Sequence, residues 1–480
     1  MASEESLDPE NWEKFRILGH KMLDDMLDYL RDIRKQPVWR PIPNDVKLKF
    51  KALLPKEGQT REKIYEEFKE NILPYPLGNP HPRFWGWAVG NGTPFGLLAE
   101  MLAATMNPNV GGGEHIANYV ENQVIDWAKD ILGYDPNASG ILVSGASIAN
   151  FIGLAVARNK MAGYDIKKEG LRASKKDLLI YGSEEMHNSI DKAVFLLGLG
   201  INSLRKIPVN DKYEIRIDKL KETIEADLTA GFKPTCIIGC AGTINTGAID
   251  NLNKLADLSD EFNIWFHVDG AFGAWCKLSP EVKDLVNGIE RADSIAFDFH
   301  KWMYINFEAG CALIRNREDH FGTFNLMADY IAHQDRGVAS GDIWYGLYGP
   351  QLSRGFRALK IWMSIKEHGA NKYGRIIHQN IRQARYLTNL IENEDHLELL
   401  APTSLNIVNF RYNDGKSNEK NLNKLNEEIL FHLQENGIAV PSSTTINGNF
   451  AIRVAIVNYR SKKKDFDMLI NSVLNICKKL

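Results

Sequence analysis

Between about residues 140 and 316, short apolar runs bounded by turn residues alternate with amphipathic stretches. That alternation predicts a mainly parallel β-sheet with helices on both faces, an α/β fold. The predicted strands are 140–144, 178–181, 236–240, 264–268, 294–297 and 311–314, with helices over 148–161, 218–228 and 251–262. Upstream, Trp12, Phe15, Leu18, Met22, Met26 and Leu30 recur at helical spacing, and 60–68 predicts a second helix. Prolines 37, 41 and 43 keep the segment between them extended. Downstream of a helix over 358–367, segments 405–412 and 450–456 alternate as half-buried strands, with helices over 422–436 and 464–477. Three parts are expected: a helical amino-terminal arm (1–90), a large α/β domain (91–370) and a small α+β domain (371–480). An arm too small to bury its own apolar faces must lie on the body or on a partner subunit.

Composition narrows the class. The 480 residues are 44% hydrophobic and 25% charged, as in ordinary globular proteins, which argues against disorder. Fifty-eight basic against 61 acidic side chains leave a net charge of −3, with no electrostatic footprint for nucleic acid. The acidic start is followed by no apolar signal segment, and the apolar stretch 95–106 carries Glu100 and is too short to span a bilayer. The five cysteines read as reduced thiols, so a cytoplasmic location is expected. Neither G-x-G-x-x-G nor G-x-x-x-x-G-K-[ST] occurs, which removes dinucleotide and P-loop readings. With no H-E-x-x-H and no paired Cys/His cluster, no metal site is expected.

In parallel sheets ligands sit at the carboxyl ends of the strands. Four predicted ends carry reactive side chains. The first continues as Gly145-Ala146-Ser147 into a helix, small residues that let backbone N–H groups approach an anion. The second is followed by His187, which by itself is more often a structural hydrogen-bonder. The third ends in Asp269-Gly-Ala271, where a turn aspartate is the ordinary reading. The fourth continues as Asp298-Phe-His300-Lys301-Trp, a lysine among apolar neighbours whose desolvated amine is nucleophilic toward an aldehyde, or whose head simply snorkels to water. Together an anion cup, a flat histidine, an acid for a ring nitrogen and a lysine 32 residues after that acid are the parts pyridoxal 5'-phosphate (PLP) requires.

Phe266-His-Val-Asp-Gly-Ala, Asp298-Phe-His-Lys-Trp and Ala241-Gly-Thr-Ile-Asn-Thr-Gly-Ala-Ile-Asp make the chain resemble the group II pyridoxal-phosphate amino-acid decarboxylases, above all the aromatic L-amino-acid decarboxylases, over roughly residues 10–475. The resemblance implies the aspartate-aminotransferase-like PLP fold type I, and a homodimer with the active site at the subunit boundary and the arm clasping its partner. It implies that Lys301 carries the cofactor as a Schiff base and Asp269 pairs with the pyridine nitrogen. His187 and Ala271 would sandwich the ring, Gly145, Ala146, Ser147 and His300 would hold the phosphate, and Thr243 would lie near the ring. Tyr330, in the loop 324–337, takes the place of the family's proton donor. Because Tyr330 and His187 are both present, amine formation is favoured over aldehyde formation. Trp85 and Trp87 fall where the family lines its substrate side-chain pocket, so an aromatic substrate of the tryptophan, tyrosine or phenylalanine type is expected.

Two departures matter. The cup reads Ser-Gly-Ala-Ser where animal relatives have Gly-Ser-Ala-Ser, and Asp298 stands where some members have asparagine. A carboxylate facing a phosphate is repulsive, so Asp298 is expected to point away or to bond the backbone. Alternatives are a decarboxylase of acidic or diamino acids, for which nearby Arg83 is a candidate cation, another enzyme on the same scaffold, and a non-catalytic binding protein. A serine hydrolase using Ser147 in G-x-S-x-A is more remote.

Overall fold

Two β-sheets with separate hydrophobic cores organise the chain in a computed structural model that describes residues 4–326 and 334–480. A two-residue strand, β1 (Phe84–Trp85), precedes the strands of the larger sheet. These are β2 (Ser139–Val143), β3 (Leu178–Ser183), β4 (Leu204–Ile207), β5 (Lys233–Cys240), β6 (Trp265–Asp269), β7 (Ser294–Asp298) and β8 (Gly310–Ile314). Their spatial order is β2-β8-β7-β6-β5-β3-β4. The pairs from β7 through β6, β5 and β3 to β4 are parallel, whereas β8 runs antiparallel between β2 and β7. Residues 299–309 hold no helix that could carry the chain back across the sheet, so β8 has to reverse direction.

Continuous apolar runs form these strands because both faces are covered. Ile180, Ile237, Val268, Ile295 and Leu313 are all buried, and helix Ala146–Ala162 lies across β5 to β8. The sixfold strand prediction is matched within a few residues at each end. The edge strand β4 went unpredicted, since Arg205 and Lys206 break its apolar run; charged side chains suit an edge.

The smaller sheet contains β9 (Leu397–Leu399), β10 (Ile407–Tyr412), β11 (Val440–Ile446) and β12 (Asn449–Ala455), in the order β1-β11-β12-β10-β9. Phe84 and Trp85 pair in parallel with Val440 and Pro441, so the end of the arm is sewn into this lobe. Helices Ala370–Glu392, Glu419–Glu435 and Lys463–Cys477 supply the rest of its core. Arg34 adds a further tie between arm and lobe, pairing at 2.6 Å with the buried Asp465.

The arm helix Trp12–Arg31 leaves Trp12, Phe15, Ile17 and Met22 exposed. No helix among the described residues is long and apolar enough to cross a membrane. All five cysteines are free, four of them buried.

Candidate active site

The carboxyl ends of β2, β3, β6 and β7 converge on a cavity of about 390 Å³. It is lined by Ser144, Gly145, Ala146, Ser147, Asn150, His187, Ser189, Asp269, Ala271, Asp298, His300, Lys301, Phe307 and Glu308. Eight residues that the sequence nominated therefore meet in one place: Gly145, Ala146, Ser147, His187, Asp269, Ala271, His300 and Lys301.

Helix Ala146–Ala162 opens into the cavity with Gly145 at its cap position, a residue with no side chain of its own to offer the terminus. A free helix amino terminus attracts anions through unpaired N–H groups and the macrodipole. A Cβ on Gly310 would come within 2.5 Å of the Gly145 Cα, so only glycine lets β8 pass the cup this closely. The Asp298 carboxylate accepts a 2.7 Å hydrogen bond from the Ala146 N–H and lies 3.3 Å from the Lys301 ammonium. The expectation of a backbone-bonded Asp298 is met, and the carboxylate nevertheless lines the cup.

Asp269 ends β6 almost wholly buried, accepting from Asn150 Nδ2 at 3.0 Å and from the Ala271 N–H at 3.1 Å. Among the described residues it has no ion-pair partner. His187 Nδ1 accepts from the Ser189 N–H at 3.1 Å and lies 2.9 Å from the Ser189 hydroxyl, and burial lowers the imidazole's pKa. His300 Nδ1 accepts from the Ala309 N–H at 3.0 Å, which leaves the proton on Nε2; burial pushes its pKa down too. Lys301 follows directly, flanked by the fully buried Phe299, Trp302 and Met303. The Trp275 indole N–H, donating 2.7 Å to the Asp298 carbonyl, fixes the turn that presents it.

Other nominated residues lie elsewhere. Trp85 is a correction: its ring is completely buried in the small lobe, stacked 4.9 Å from Phe466, with its N–H given to Ser461. A side chain consumed by core packing has no face left for a substrate. Trp87 is half exposed and does not line the cavity within this chain. Thr243 is buried but does not line the cavity, its hydroxyl accepting the Ala248 N–H at 3.1 Å and holding the turn after β5. Arg83 gives its Nε proton to the Ile438 carbonyl at 2.6 Å and is not in the cavity. Tyr330 lies outside the described residues.

Sequence reasoning missed Asn150, Ser189, Phe307 and Glu308. It also missed Arg453, a buried cation on β12 whose hydrogen bonds go to neutral oxygens of Trp87, Ser442, Ile244 and Asn245. Burial brings its pKa down to about 10.

Pyridoxal phosphate fits this donor set. The helix terminus suits its phosphate, the buried carboxylate of Asp269, without an ion-pair partner among the described residues, its protonated ring nitrogen, and Lys301 its aldehyde. Fold and cavity together define a fold type I pyridoxal-phosphate enzyme. The chain belongs to the pyridoxal-dependent decarboxylases, whose conserved domain matches residues 43–413, and it is a carboxy-lyase.

Among curated relatives, it is 32% identical to an aromatic-L-amino-acid decarboxylase of Bacillus atrophaeus, over 94% of this chain and 93% of that one. It is 26% identical to tryptophan decarboxylase 2 of rice, Oryza sativa subsp. japonica, over 95% of this chain and 93% of the relative. A phenylacetaldehyde synthase of Petunia hybrida is 27% identical over 98% and 94%. Among solved structures, Oryza sativa TDC with PLP and tryptamine superposes with a TM-score of 0.90 at 22% identity, covering 99% of each chain. The glutamate decarboxylase domain of a Vibrio parahaemolyticus diaminobutyrate-pyruvate transaminase and L-2,4-diaminobutyrate decarboxylase reaches 0.86 at 25%, over 100% and 98%.

Proposed function

We propose that the protein decarboxylates an aromatic L-amino acid to the corresponding arylalkylamine and carbon dioxide. The observation that carries the reading is the meeting of Lys301, the unpaired buried Asp269 and His187 in one cavity at the strand ends. The aromatic substrate is supported by the 32% identity to the Bacillus enzyme along nearly the whole chain.

Lys301 would hold the cofactor, Asp269 would pair with its ring nitrogen, and His187 and Ala271 would flank its ring. Gly145, Ala146, Ser147 and His300 would hold the phosphate. When bound, pyridoxal phosphate supplies an electron sink for the pair left behind as the carboxylate departs. The buried Asp269 suits that pairing because the Asn150 amide and the Ala271 N–H both donate to its carboxylate and hold it in place. The neutral His187 adds a flat face without a second positive charge. Tyr330 then delivers its phenolic proton to the carbon that lost carbon dioxide, giving the amine. Trp87 remains the candidate aromatic contact for the substrate, and the exposed arm helix is the surface by which two copies would clasp.

A second reading, decarboxylation of an acidic or diamino acid, is favoured by the Vibrio structure. Arg83 lends it no support within this chain, because it does not line the cavity. A serine hydrolase would need a base on Ser147, and no histidine hydrogen-bonds it among the described residues.

Incubating the purified protein with a panel of aromatic, acidic and diamino acids, while measuring carbon dioxide and identifying the product by mass, tests the proposal. The expected result is an arylalkylamine. Faster release from glutamate or diaminobutyrate, or an aldehyde product, would overturn it.

A further inference from the structure

Asn150 is wholly buried one helical turn beyond the anion cup, and all the polar atoms of its side chain are engaged. Nδ2 donates to Asp269 Oδ2 at 3.0 Å and to the Ser189 hydroxyl at 3.2 Å, while Oδ1 faces His267 Nε2 at 2.9 Å. The directions of these bonds follow by elimination. A carboxylate accepts only, so the amide nitrogen must face Asp269 and the amide oxygen must face His267. His267 Nε2 therefore carries the proton. Burial holds this imidazole neutral, with its pKa down to about 4, so Nδ1 accepts the hydroxyl of Ser294 at 2.7 Å. That hydroxyl is in turn fixed by the Trp265 indole N–H at 2.8 Å. On the other side, the Ser189 hydroxyl donates to His187 Nδ1 at 2.9 Å, since Nδ1 already accepts the Ser189 N–H.

The backbone is built for this contact. His267 and Asp269 alternate onto one face of β6. Gly153, three residues after Asn150, lets the helix descend on them, since a Cβ there would meet His267 Cε1 at 2.7 Å.

We infer that Asn150 is a positioning residue that locks the ring-nitrogen acid Asp269 and the ring-facing His187 into one directed hydrogen-bond relay anchored on His267. The inference rests on the cofactor placement proposed above. Through its single amide group, Asn150 fixes the orientation of the Asp269 carboxylate. It also fixes the Ser189 hydroxyl rotor, which joins the Ser189 backbone N–H in donating to Nδ1 of His187. The ionisable groups facing Asp269 are His187 from the turn after β3, His267 on its own strand and Cys240 at the end of β5; Lys301 shares the cavity.

The test uses the full-length holoprotein with two shape-matched substitutions, Asn150→Leu and Asn150→Asp. Leucine removes the donors; aspartate places a second acid about 3 Å from Asp269, so the pair must share a proton. Both variants should bind pyridoxal phosphate at least tenfold more weakly. In both, the pH midpoint of the visible cofactor band should move up by at least one unit, because a ring nitrogen that has lost its proton no longer lowers the basicity of the Lys301 linkage. Near-UV circular dichroism should stay unchanged; if the leucine variant does not fold, the isosteric aspartate variant carries the test. An unchanged midpoint and affinity, with borohydride still tagging Lys301, would overturn the relay and leave Asn150 as core packing. Absence of that tag in the unsubstituted protein would sink the cofactor placement, and the relay with it.

Discussion

The backbone N–H of Ala146 donates to the carboxylate of Asp298 across 2.7 Å, so an acid of the chain itself caps the helix that faces the cavity. The same carboxylate lies 3.3 Å from the Lys301 ammonium. A phosphate arriving at the helix terminus therefore meets a like charge. Asp298→Asn keeps an acceptor for Ala146 and removes that charge. Its affinity for pyridoxal phosphate should rise at least threefold in a fluorescence titration of the cofactor-free protein at low ionic strength. Equal or weaker binding would show that Asp298 does not oppose the phosphate.

The two tryptophans should separate stability from substrate binding. Trp85→Ala removes a fully buried ring stacked on Phe466 and should cost about 3–5 kcal/mol in denaturant unfolding, with KM for an aromatic substrate changed less than twofold. Trp87→Ala removes a half-exposed ring and should cost under about 1 kcal/mol while raising KM severalfold. The reverse pattern would return Trp85 to the substrate pocket.

Tyr330→Phe should retain the cofactor and its visible band but divert product from amine to aldehyde, with oxygen consumed and ammonia and hydrogen peroxide released. Product analysis by mass, with an oxygen electrode, reads the ratio. Amine output equal to that of the unsubstituted protein would place the proton donor elsewhere.

Buried neutral histidines set the acid limit of stability. Burial holds His267 at about 4 and His320 at about 3, below the value near 6.5 of an unfolded histidine. The unfolded chain therefore takes protons that the folded one refuses, and stability falls as pH drops below about 6.5. By pH 5 each of the two costs about 2 kcal/mol. Asp250, pushed up to about 6 by burial, acts in the opposite sense: the folded chain binds its proton first, so acidification through that window offsets part of the loss. His320→Gln should flatten the slope of stability against pH between 4.5 and 5.5 by about 1.4 kcal/mol per unit. An unaltered slope in urea melts would mean that His320 is not held neutral.

The strand ends were legible because parallel strands buried on both faces read as apolar runs, and polar residues directly after them stand out. Lys301, Asp269, His187 and the cup all came from that one pattern. Asn150 did not, because an asparagine inside a predicted helix carries no period of its own; the readable signal was the alternation of His267 and Asp269, which puts both on one strand face. Trp85 misled for a related reason. Its sequence neighbourhood marks a pocket-lining segment, while the pairing of Phe84–Trp85 with Val440–Pro441, set by contacts more than 350 residues apart, turns the ring into the small lobe. The reversal of β8 was invisible because direction depends on how the chain crosses the sheet rather than on the strand's composition.

Reduction of the purified yellow protein with borohydride, followed by digestion and mass spectrometry, reaches the central assignment most directly. The peptide spanning Asp298 to Trp302 should carry one pyridoxyl group on Lys301, and Lys301→Ala should lose both the tag and the visible band while keeping its near-UV circular dichroism. A tag on another lysine, or a normal visible spectrum in Lys301→Ala, would contradict the account.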